Sequence, residues 1–224
     1  MKANLDKKNY CEKNYPYLNI SYDTKRRFCG YWHQIDEIIS IKPKTILEIG
    51  VGSGFVTSYL KSKGFNIVSL DILQDLSPDT VGSVLDLPFG DEAFNTVSCC
   101  EVLEHLPYSE FSRALSELHR VSRRHVVLSL PDDTSVYKFY IQLSKIMLVK
   151  KIFRNSFHKP KTHDFDGHHH WEIGKINFLL EKIINEIRQA KFEIINSYQV
   201  FERPFQRFFI LKSVKNLHVK STSN

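Results

Sequence analysis

The sequence predicts an α/β protein whose core is a doubly wound, mostly parallel sheet of seven strands with a C-terminal antiparallel hairpin. From residue 45, short apolar runs alternate with segments of helical periodicity, which is typical of βαβ units with buried parallel strands. A glycine-rich turn follows the first run. Near the C-terminus, two β-type runs are joined by a link too short for a parallel crossover, so they should pair as a hairpin.

Each predicted strand is a short apolar run bounded by turn residues. The seven runs are 45–49, 66–71, 80–85, 96–100, 125–130, 193–201 and 207–212. Most connections among the first five are too long for hairpins, so these strands should be parallel with right-handed crossovers. Helical patterns are expected around 32–40, after the glycine turn, over 111–121 and over 176–190.

Two segments lie outside this regular pattern of a single domain spanning residues 1–224. Residues 1–40 are expected to form an N-terminal helical cap segment, and residues 132–175 a lid or acceptor-binding insertion. Within the insertion, 136–153 carries apolar residues at helical spacing with interspersed lysines. Open α/β sheets place substrate-binding loops after strand ends, so the insertion should lie beside the ligand.

Composition and charge distribution limit the function classes. Apolar residues make up 42% and charged residues 25% of the chain, which argues against disorder and against a membrane protein. The formal net charge is +6, and seven Lys/Arg with no acid lie between 134 and 163. This patch favours a phosphate-bearing or other anionic partner, with a solvated basic face as the alternative. No RNA-binding module with its aromatic signature is visible, so no nucleic-acid partner is expected.

The cysteines and the N-terminus bear on the compartment. The four cysteines form no C-x-x-C pair, and Cys99 and Cys100 lie in an apolar run where thiols behave as small core residues. The first residues lack the apolar stretch of a signal peptide, and no run is long enough for a transmembrane segment. We therefore expect a cytoplasmic protein.

The strongest chemical signal is the turn LEIGVGSGF at 47–55. Its first glycine permits a tight turn off the strand, and the second lets a ligand approach the backbone. Asp71, at the end of the second predicted strand, can accept hydrogen bonds from both ribose hydroxyls of a nucleoside. Asp86, at the end of the third, can meet an adenine amino group. Either acid alone could be a solvated strand-end residue, but their order and spacing favour a nucleoside ligand.

These residues resemble the class I S-adenosylmethionine-dependent methyltransferases, in particular the small methyltransferase type 11-like group. The shared pieces are LEIGVGSG (47–54), DI (71–72), LDLPF (85–89), FNTV (94–97) and VLEHL (102–106). The resemblance covers about residues 40–131 and implies a Rossmann-like fold with S-adenosylmethionine as cofactor. Asn95 departs from the aspartate usual in the family, and we expect little consequence at a strand start.

The resemblance also implies a cofactor site residue by residue. The residues implied around the methionine part, including the turn itself, are Glu48, Gly50, Val51, Gly52, Gly54, Cys100 and Glu101. The residues implied around the nucleoside are Asp71 for the ribose, Ile72 for packing on the adenine, and Asp86 and Leu87 for its edge.

Methyl transfer from a sulfonium is an in-line displacement, so the protein must mainly align the acceptor and exclude water. A hydroxyl acceptor also benefits from a base that removes its proton. His105, beyond the fourth strand, is a candidate for this role, with a structural histidine at a helix terminus as the alternative.

The segment HDFDGHHHWEIG at 163–174 has three interpretations. The favoured one is an acceptor-site loop, with His169 as base or orienting group, Trp171 as an apolar wall and Glu172 as hydrogen-bond acceptor. A metal site could instead use His168 and His170, completed by Asp164, Asp166 or Glu172. A solvated turn is the third. Because methyl transfer from a sulfonium requires no metal, we predict none, and we take His169, His105 and Glu172 as the catalytic candidates.

The acceptor is the least determined part of the prediction. The chain has SCCE at 98–101, where enzymes of this fold that methylate base amines commonly have [DNS]-P-P-[YF]. We therefore expect O-methylation of a small-molecule or sugar-type acceptor, with a phosphorylated or otherwise anionic one favoured by the basic patch. The alternatives are a non-catalytic cofactor-binding module and a membrane-surface module that uses 136–153.

Overall fold

The computed structural model describes residue 17 and residues 22–143, 147–155, 157 and 159–215. Seven strands form one sheet in the order β3-β2-β1-β4-β5-β9-β8. These strands are β1 (Ile46–Ile49), β2 (Ile67–Asp71), β3 (Thr80–Val81), β4 (Phe94–Cys100), β5 (Ser122–Pro131), β8 (Phe192–Gln199) and β9 (Gln206–Ser213). Strands β1 to β5 pair with one another in parallel. Strand β9 lies between β5 and β8 and is antiparallel to both. The predicted fold class is confirmed.

In the described part of the chain, four helices cover the two faces of the sheet. They are α1 (Lys25–Ser40), α2 (Phe55–Ser62), α3 (Phe111–Val121) and α4 (Leu180–Gln189). Side chains of α1 and α2 pack in one buried apolar cluster, and those of α3 and α4 pack in a second. Strand β5 contributes Val127 to the first cluster and Val126 and Leu128 to the second, because successive side chains point to opposite faces. The sheet is therefore buried on both sides, as parallel sheets require.

The strand register brings the cofactor-type residues together. Ile49, the last residue of β1, is paired with Leu70 of β2 and Cys99 of β4. The residues that follow these three are Gly50, Asp71 and Cys100, which therefore meet at the carboxyl edge of the sheet. At this edge β1 lies between β2 and β4, and open α/β sheets bind ligands at such a position.

Four predicted elements differ from the structure. Helix α1 begins at Lys25, seven residues before the helical pattern expected around 32–40. Strand β3 has only two residues rather than six, and α4 begins at Leu180 rather than at 176. The prediction of a helix over 136–153 was wrong, since this segment forms an antiparallel hairpin of β6 (Val136–Leu143) and β7 (Met147–Arg154). The segment is rich in aromatic and β-branched residues, which favour strands, and this preference prevailed over a spacing compatible with a helix.

The chain after the hairpin is tied back to the sheet. Ile173 donates its backbone N–H to the carbonyl of Pro131 at 3.0 Å and accepts from the N–H of Asp133 at 2.8 Å. Asp132, which is 1% exposed, pairs with Arg207 of β9 at 2.6 Å. The HHHWEIG segment is thereby held against the end of β5. No helix in the described part of the chain combines the length and apolar character needed to cross a membrane.

Candidate active site

A cavity of about 810 Å³ opens at the carboxyl ends of β1, β2 and β4. Its walls come from the glycine turn, the turns after β2 and β3, the segment 100–106 after β4, Arg203 and Gln206, residues of the loop 165–170, and Tyr17, Tyr22 and α1. The cavity therefore lies at the sheet edge where the sequence predicts ligand binding, although the sequence did not identify all of the segments that line it.

The glycine turn requires glycine at its first position. Gly50 has φ +83°, and a Cβ built on it would lie 2.3 Å from Cγ2 of Val102. Its N–H donates to the carbonyl of Leu70 at 2.8 Å. A side chain here would be strained by its own backbone and would also collide with the segment after β4.

Asp71 fastens the glycine turn to the turn after β2. Its Oδ2 accepts the N–H of Val51 at 2.8 Å, and its Oδ1 accepts the N–H of Leu73 at 2.9 Å. The carboxylate lines the cavity and is 9% exposed. Each carboxylate oxygen can accept more than one hydrogen bond, so Asp71 can hold both turns and still accept from ligand hydroxyls.

Glu48 lies beneath the turn and is 2% exposed. Its carboxyl oxygens accept hydrogen bonds from the Thr57 hydroxyl and, at 3.2 Å, from Nε2 of Gln34. Burial is the main cause that raises the pKa of Glu48, to about 7, while these two bonds lower it. Near neutral pH this site therefore alternates between a neutral and an anionic carboxyl.

The predicted cofactor residues divide into two groups. Those that line the cavity are Glu48, Gly50, Val51, Gly52, Asp71, Ile72, Cys100 and Glu101. Gly54 does not line it and serves instead as the N-cap of α2. Asp86 and Leu87 do not line it either, because β3 ends early and the chain turns back, with the Asp86 N–H bonded to the carbonyl of Ser83. Ser83 and Val84 occupy the wall expected for Asp86 and Leu87.

Sequence reasoning missed the contribution of two arginines. Arg27 lies over the ring of Tyr22, with its guanidinium carbon 3.7 Å from the centroid. Arg203 donates to Glu101 at 3.1 Å and to Gln206 at 3.0 Å. All five residues line the cavity. The segment FERPFQRFF at 201–209 contains Arg203 and could have indicated it, but the sequence analysis gives this segment no role.

The three catalytic candidates meet in space, but only one lines the cavity. His105 lines it, while His169 and Glu172 lie behind it. The rings of His105 and His169 are 5.3 Å apart, and Nδ1 of His169 lies 2.8 Å from Oε1 of Glu172. Nδ1 of His105 lies 3.0 Å from the carbonyl oxygen of His168. Burial is the main cause that lowers the pKa of His105.

Trp171 does not form the expected apolar wall of an acceptor site. It is fully buried and packs edge-on against Tyr108 and Phe111, at 5.1 and 4.9 Å between ring centroids. Its role is to anchor the histidine segment in the core. The aromatic side chain that the loop supplies to the cavity is Phe165, 4.6 Å from the ring of His170.

Glu104 is fully buried directly before His105. Among the described residues, neither carboxyl oxygen has a hydrogen-bond partner. Burial, with a smaller contribution from the charge of Glu101, raises the pKa of Glu104 well above its usual range. An uncompensated buried carboxyl of this kind requires a physical explanation.

Two groups of potential metal-ligating side chains occur in the described part of the chain. In one, atoms of Glu104, His105 and His169 lie within 4.8 Å of one another, and in the other the same holds for Asp166, His169 and Glu172. His168 and His170, the pair considered from the sequence, belong to neither group. The convergent histidines are instead His105 and His169.

A family model described as a methyltransferase domain matches residues 47–130. An uncharacterised protein of Methanocaldococcus jannaschii is 31% identical over 137 residues, and the match spans 55% of each chain. A demethylmenaquinone methyltransferase of Thermotoga maritima is 25% identical over 201 residues, covering 79% of this chain and 80% of that protein.

Among solved structures, the 1,6-didemethyltoxoflavin-N1-methyltransferase of Burkholderia thailandensis has the same fold, with a TM-score of 0.59 and 12% identity. The superposition covers 93% of this chain and 87% of that one. That enzyme was crystallised with its substrate and S-adenosylhomocysteine.

Proposed function

Because the chain belongs to the class I S-adenosylmethionine-dependent methyltransferases, we propose that it transfers a methyl group from S-adenosylmethionine to an oxygen atom of a small-molecule acceptor. The observation that carries the proposal is the juxtaposition, in one cavity, of a glycine turn held by Asp71 and the side chain of His105. The first element suits the donor, and the second suits activation of a hydroxyl.

The residues present fit the cofactor. Gly50 and Gly52 line the cavity without side chains, which leaves the backbone of the turn accessible to a ligand. Asp71 would hold the ribose hydroxyls, and Glu48, in its ionised form, would place negative charge beside the methionine part. A cavity of about 810 Å³ is large enough for a nucleoside cofactor beside a small acceptor.

When bound, S-adenosylmethionine supplies an activated methyl carbon whose bond to sulfur breaks as the acceptor oxygen bonds to it, leaving the electron pair on sulfur. The chain must orient the acceptor, exclude water and accept the hydroxyl proton. Phe165 and Tyr22 supply apolar walls of the cavity. The pair His105 and His169 supplies the groups that assist removal of the proton.

Two arginines of the cavity wall offer a site for an anionic group of the acceptor. Arg27 and Arg203 line the cavity together with the acids Glu48, Asp71, Glu101 and Asp166, and Glu101 is bonded to Arg203. The Arg27 guanidinium is held by stacking on Tyr22 and by donation to its carbonyl at 3.2 Å. A guanidinium fixed in this way can bind a carboxylate or phosphate group of the acceptor.

The test uses labelled S-adenosylmethionine and a panel of phosphorylated sugars, hydroxylated aromatic carboxylates and quinols. We expect methyl transfer to a hydroxyl by the wild type, and at least a hundredfold loss of kcat in His105→Ala and His169→Ala. S-adenosylhomocysteine should bind both variants as it binds wild type, measured by calorimetry. His119→Ala, on α3 away from the cavity, is the matched control. Binding of cofactor without transfer to any acceptor would favour a non-catalytic module and contradict the proposal.

A second candidate function, attachment to an anionic membrane surface, is favoured by the β6–β7 hairpin. One face of the hairpin carries Lys138 and Lys150, which approach the Phe201 ring at 5.4 Å. The opposite face exposes Tyr137 (60%) and Phe139 (46%) to solvent, with other large apolar side chains along it. Exposed aromatic side chains on the same face as Lys151, which is paired with Phe139, suit the interface of anionic lipids.

Vesicle co-sedimentation tests this second candidate. Wild-type protein should sediment with phosphatidylglycerol vesicles more than with phosphatidylcholine vesicles. The double substitution Tyr137→Ser with Phe139→Ser should reduce this binding at least fivefold. Trp32→Ser removes an aromatic side chain that is equally exposed on α1 and serves as the control. Equal binding by all three proteins would refute a role of the hairpin.

A further inference from the structure

Glu104 has the surroundings expected of a metal ligand. It is fully buried, and among the described residues both carboxyl oxygens are without hydrogen-bond partners. Buried carboxylates in proteins are normally paired or bound to a metal, because an isolated charge away from water is costly. One of its oxygens lies within 4.8 Å of a ring nitrogen of His105 and of His169.

Both histidines are held in the orientation that metal-binding histidines adopt. Nδ1 of His105 can donate to the carbonyl of His168 at 3.0 Å, and Nδ1 of His169 can donate to Oε1 of Glu172 at 2.8 Å. With the proton fixed at Nδ1, the lone pair of each ring lies on Nε2. Hydrogen bonding of the second ring nitrogen to a carbonyl or carboxylate is the usual support of a histidine ligand.

We infer that Glu104, His105 and His169 bind a divalent transition-metal ion at the wall of the cavity. Two imidazoles and one carboxylate suit Zn²⁺, Fe²⁺ and related ions, and they leave coordination positions open. With bonds of about 2.0–2.2 Å, the ligand atoms of a tetrahedral ion lie about 3.3–3.6 Å apart, so rotation of the side chains would bring together atoms that now lie within 4.8 Å of one another. Glu172 acts as the positioning residue of His169.

The other group of potential ligands fits less well. Its members Asp166 and Glu172 are already engaged: Oδ1 of Asp166 accepts the N–H groups of His168 and His169 at 2.8 and 2.7 Å, and Glu172 holds the His169 ring. Glu172 also lies 3.7 Å from Nζ of Lys175. Among the described residues, the carboxyl of Glu104 has no such partners, so the group that contains it is the better candidate for a metal site.

The consequence for the reaction rests on the proposed function. His105 lines the cavity, so the open positions of the ion would be accessible to the acceptor. An ion held there would lower the pKa of an acceptor hydroxyl, whose proton would pass to water. The acceptor oxygen would then bond to the methyl carbon as the carbon–sulfur bond of S-adenosylmethionine breaks and its electron pair stays on sulfur. An acceptor with two adjacent oxygen donors, such as a vicinal diol or a hydroxyl beside a carbonyl, would fill two open positions and bind best.

Metal binding by the full-length protein, after removal of metals with a chelator, tests the inference without relying on activity. Zn²⁺ is titrated by calorimetry, and Co²⁺ is followed by its visible absorption, which reports the ligand field. We expect one equivalent to bind wild type, with affinity reduced at least tenfold in Glu104→Gln, His105→Ala and His169→Ala. His170→Ala, in the same loop but outside the group, should bind as wild type. Glu172→Gln should weaken binding by about ten- to a hundredfold and alter the Co²⁺ spectrum.

Binding of S-adenosylhomocysteine shows which variants are folded, and only those are compared. The inference is overturned if wild type binds no stoichiometric metal, or if Glu104→Gln and both histidine variants bind as tightly as His170→Ala. Methyl transfer that persists in chelator would remove the role in the reaction while leaving the proposed function. Site-specific metal binding without transfer to any acceptor would leave the metal site and contradict the proposed function.

Discussion

Replacement of Glu48 by glutamine tests the electrostatic description of the cofactor cavity. In the cofactor-free protein, the buried carboxyl accepts from Thr57 and Gln34 and has a pKa near 7. Glutamine has the shape of the protonated carboxyl. Its oxygen can accept from Gln34, and its amide can donate to the Thr57 hydroxyl. The substitution therefore fixes the neutral form with little change in packing.

The effect of Glu48→Gln on the free energy of unfolding follows from the difference between the pKa of Glu48 in the folded and in the unfolded state. Glu48 titrates near 4.5 when unfolded and near 7 when folded, because burial penalises its charged form. Between these values the folded state binds more protons, so the free energy of unfolding falls as the pH rises. At about 1.36 kcal/mol per pH unit, the difference amounts to roughly 3 kcal/mol. The destabilisation is absent below pH 4.5 and complete above pH 7.

Urea unfolding of cofactor-free wild type and Glu48→Gln, followed by circular dichroism from pH 4.5 to 8.5, measures this effect. The free energy of unfolding of Glu48→Gln minus that of wild type should grow by roughly 3 kcal/mol across the range. Glu181→Gln changes a carboxyl whose side chain is 69% exposed and should leave the pH dependence as in wild type. If the free energies of unfolding of wild type and Glu48→Gln differed by the same amount at every pH, the raised pKa of Glu48 would be contradicted.

Three further substitutions test other parts of the structure. Gly50→Ala should cost about 1–3 kcal/mol of stability and weaken cofactor binding at least tenfold, since its Cβ would lie 2.3 Å from Cγ2 of Val102; unchanged melting temperature and affinity would contradict this. Asp71→Asn should reduce cofactor affinity at least tenfold in calorimetry, because an amide NH₂ would face one of two backbone N–H groups; equal affinity would show that the carboxylate is not required. Arg207→Leu should cost about 3–5 kcal/mol in urea unfolding by leaving buried Asp132 unpaired, and the double variant with Asp132→Asn should recover part of it; a cost below about 1 kcal/mol would refute the pairing.

The β6–β7 hairpin shows where sequence reasoning about a single segment fails. Its apolar residues fit a helical spacing, yet they also pair across two strands, with Tyr137 opposite Phe153 and Ile141 opposite Val149. Local periodicity cannot separate these outcomes when apolar residues occur on both faces. Cross-strand contacts and the approach of the lysine-bearing face to Phe201 decide the outcome, and both depend on residues distant in the chain.

Trp171 and Asp86 illustrate a different failure, since both were assigned by position along the chain. Trp171 follows the histidines directly, but its ring points into the core and packs against Phe111 of α3, because burial of an indole ring is strongly favourable. Asp86 follows the third predicted strand, but that strand ends at Val81 and the chain turns away. The direction of a side chain depends on where each element ends, which the sequence predicts only approximately.

The amino-acid sequence is sufficient to predict the sheet and the edge at which the cofactor-type residues lie. Alternation of apolar runs, the glycines of the turn and Asp71 are local features, and neighbouring parallel strands bring their carboxyl ends to one edge. The approach of His105 and His169 to 5.3 Å is visible only in the folded chain, as is the nearby carboxyl of Glu104, which has no hydrogen-bond partner among the described residues. The anchoring of the histidine loop to β5 and the burial of Trp171 bring these groups together, so their juxtaposition depends on packing between segments far apart in the chain.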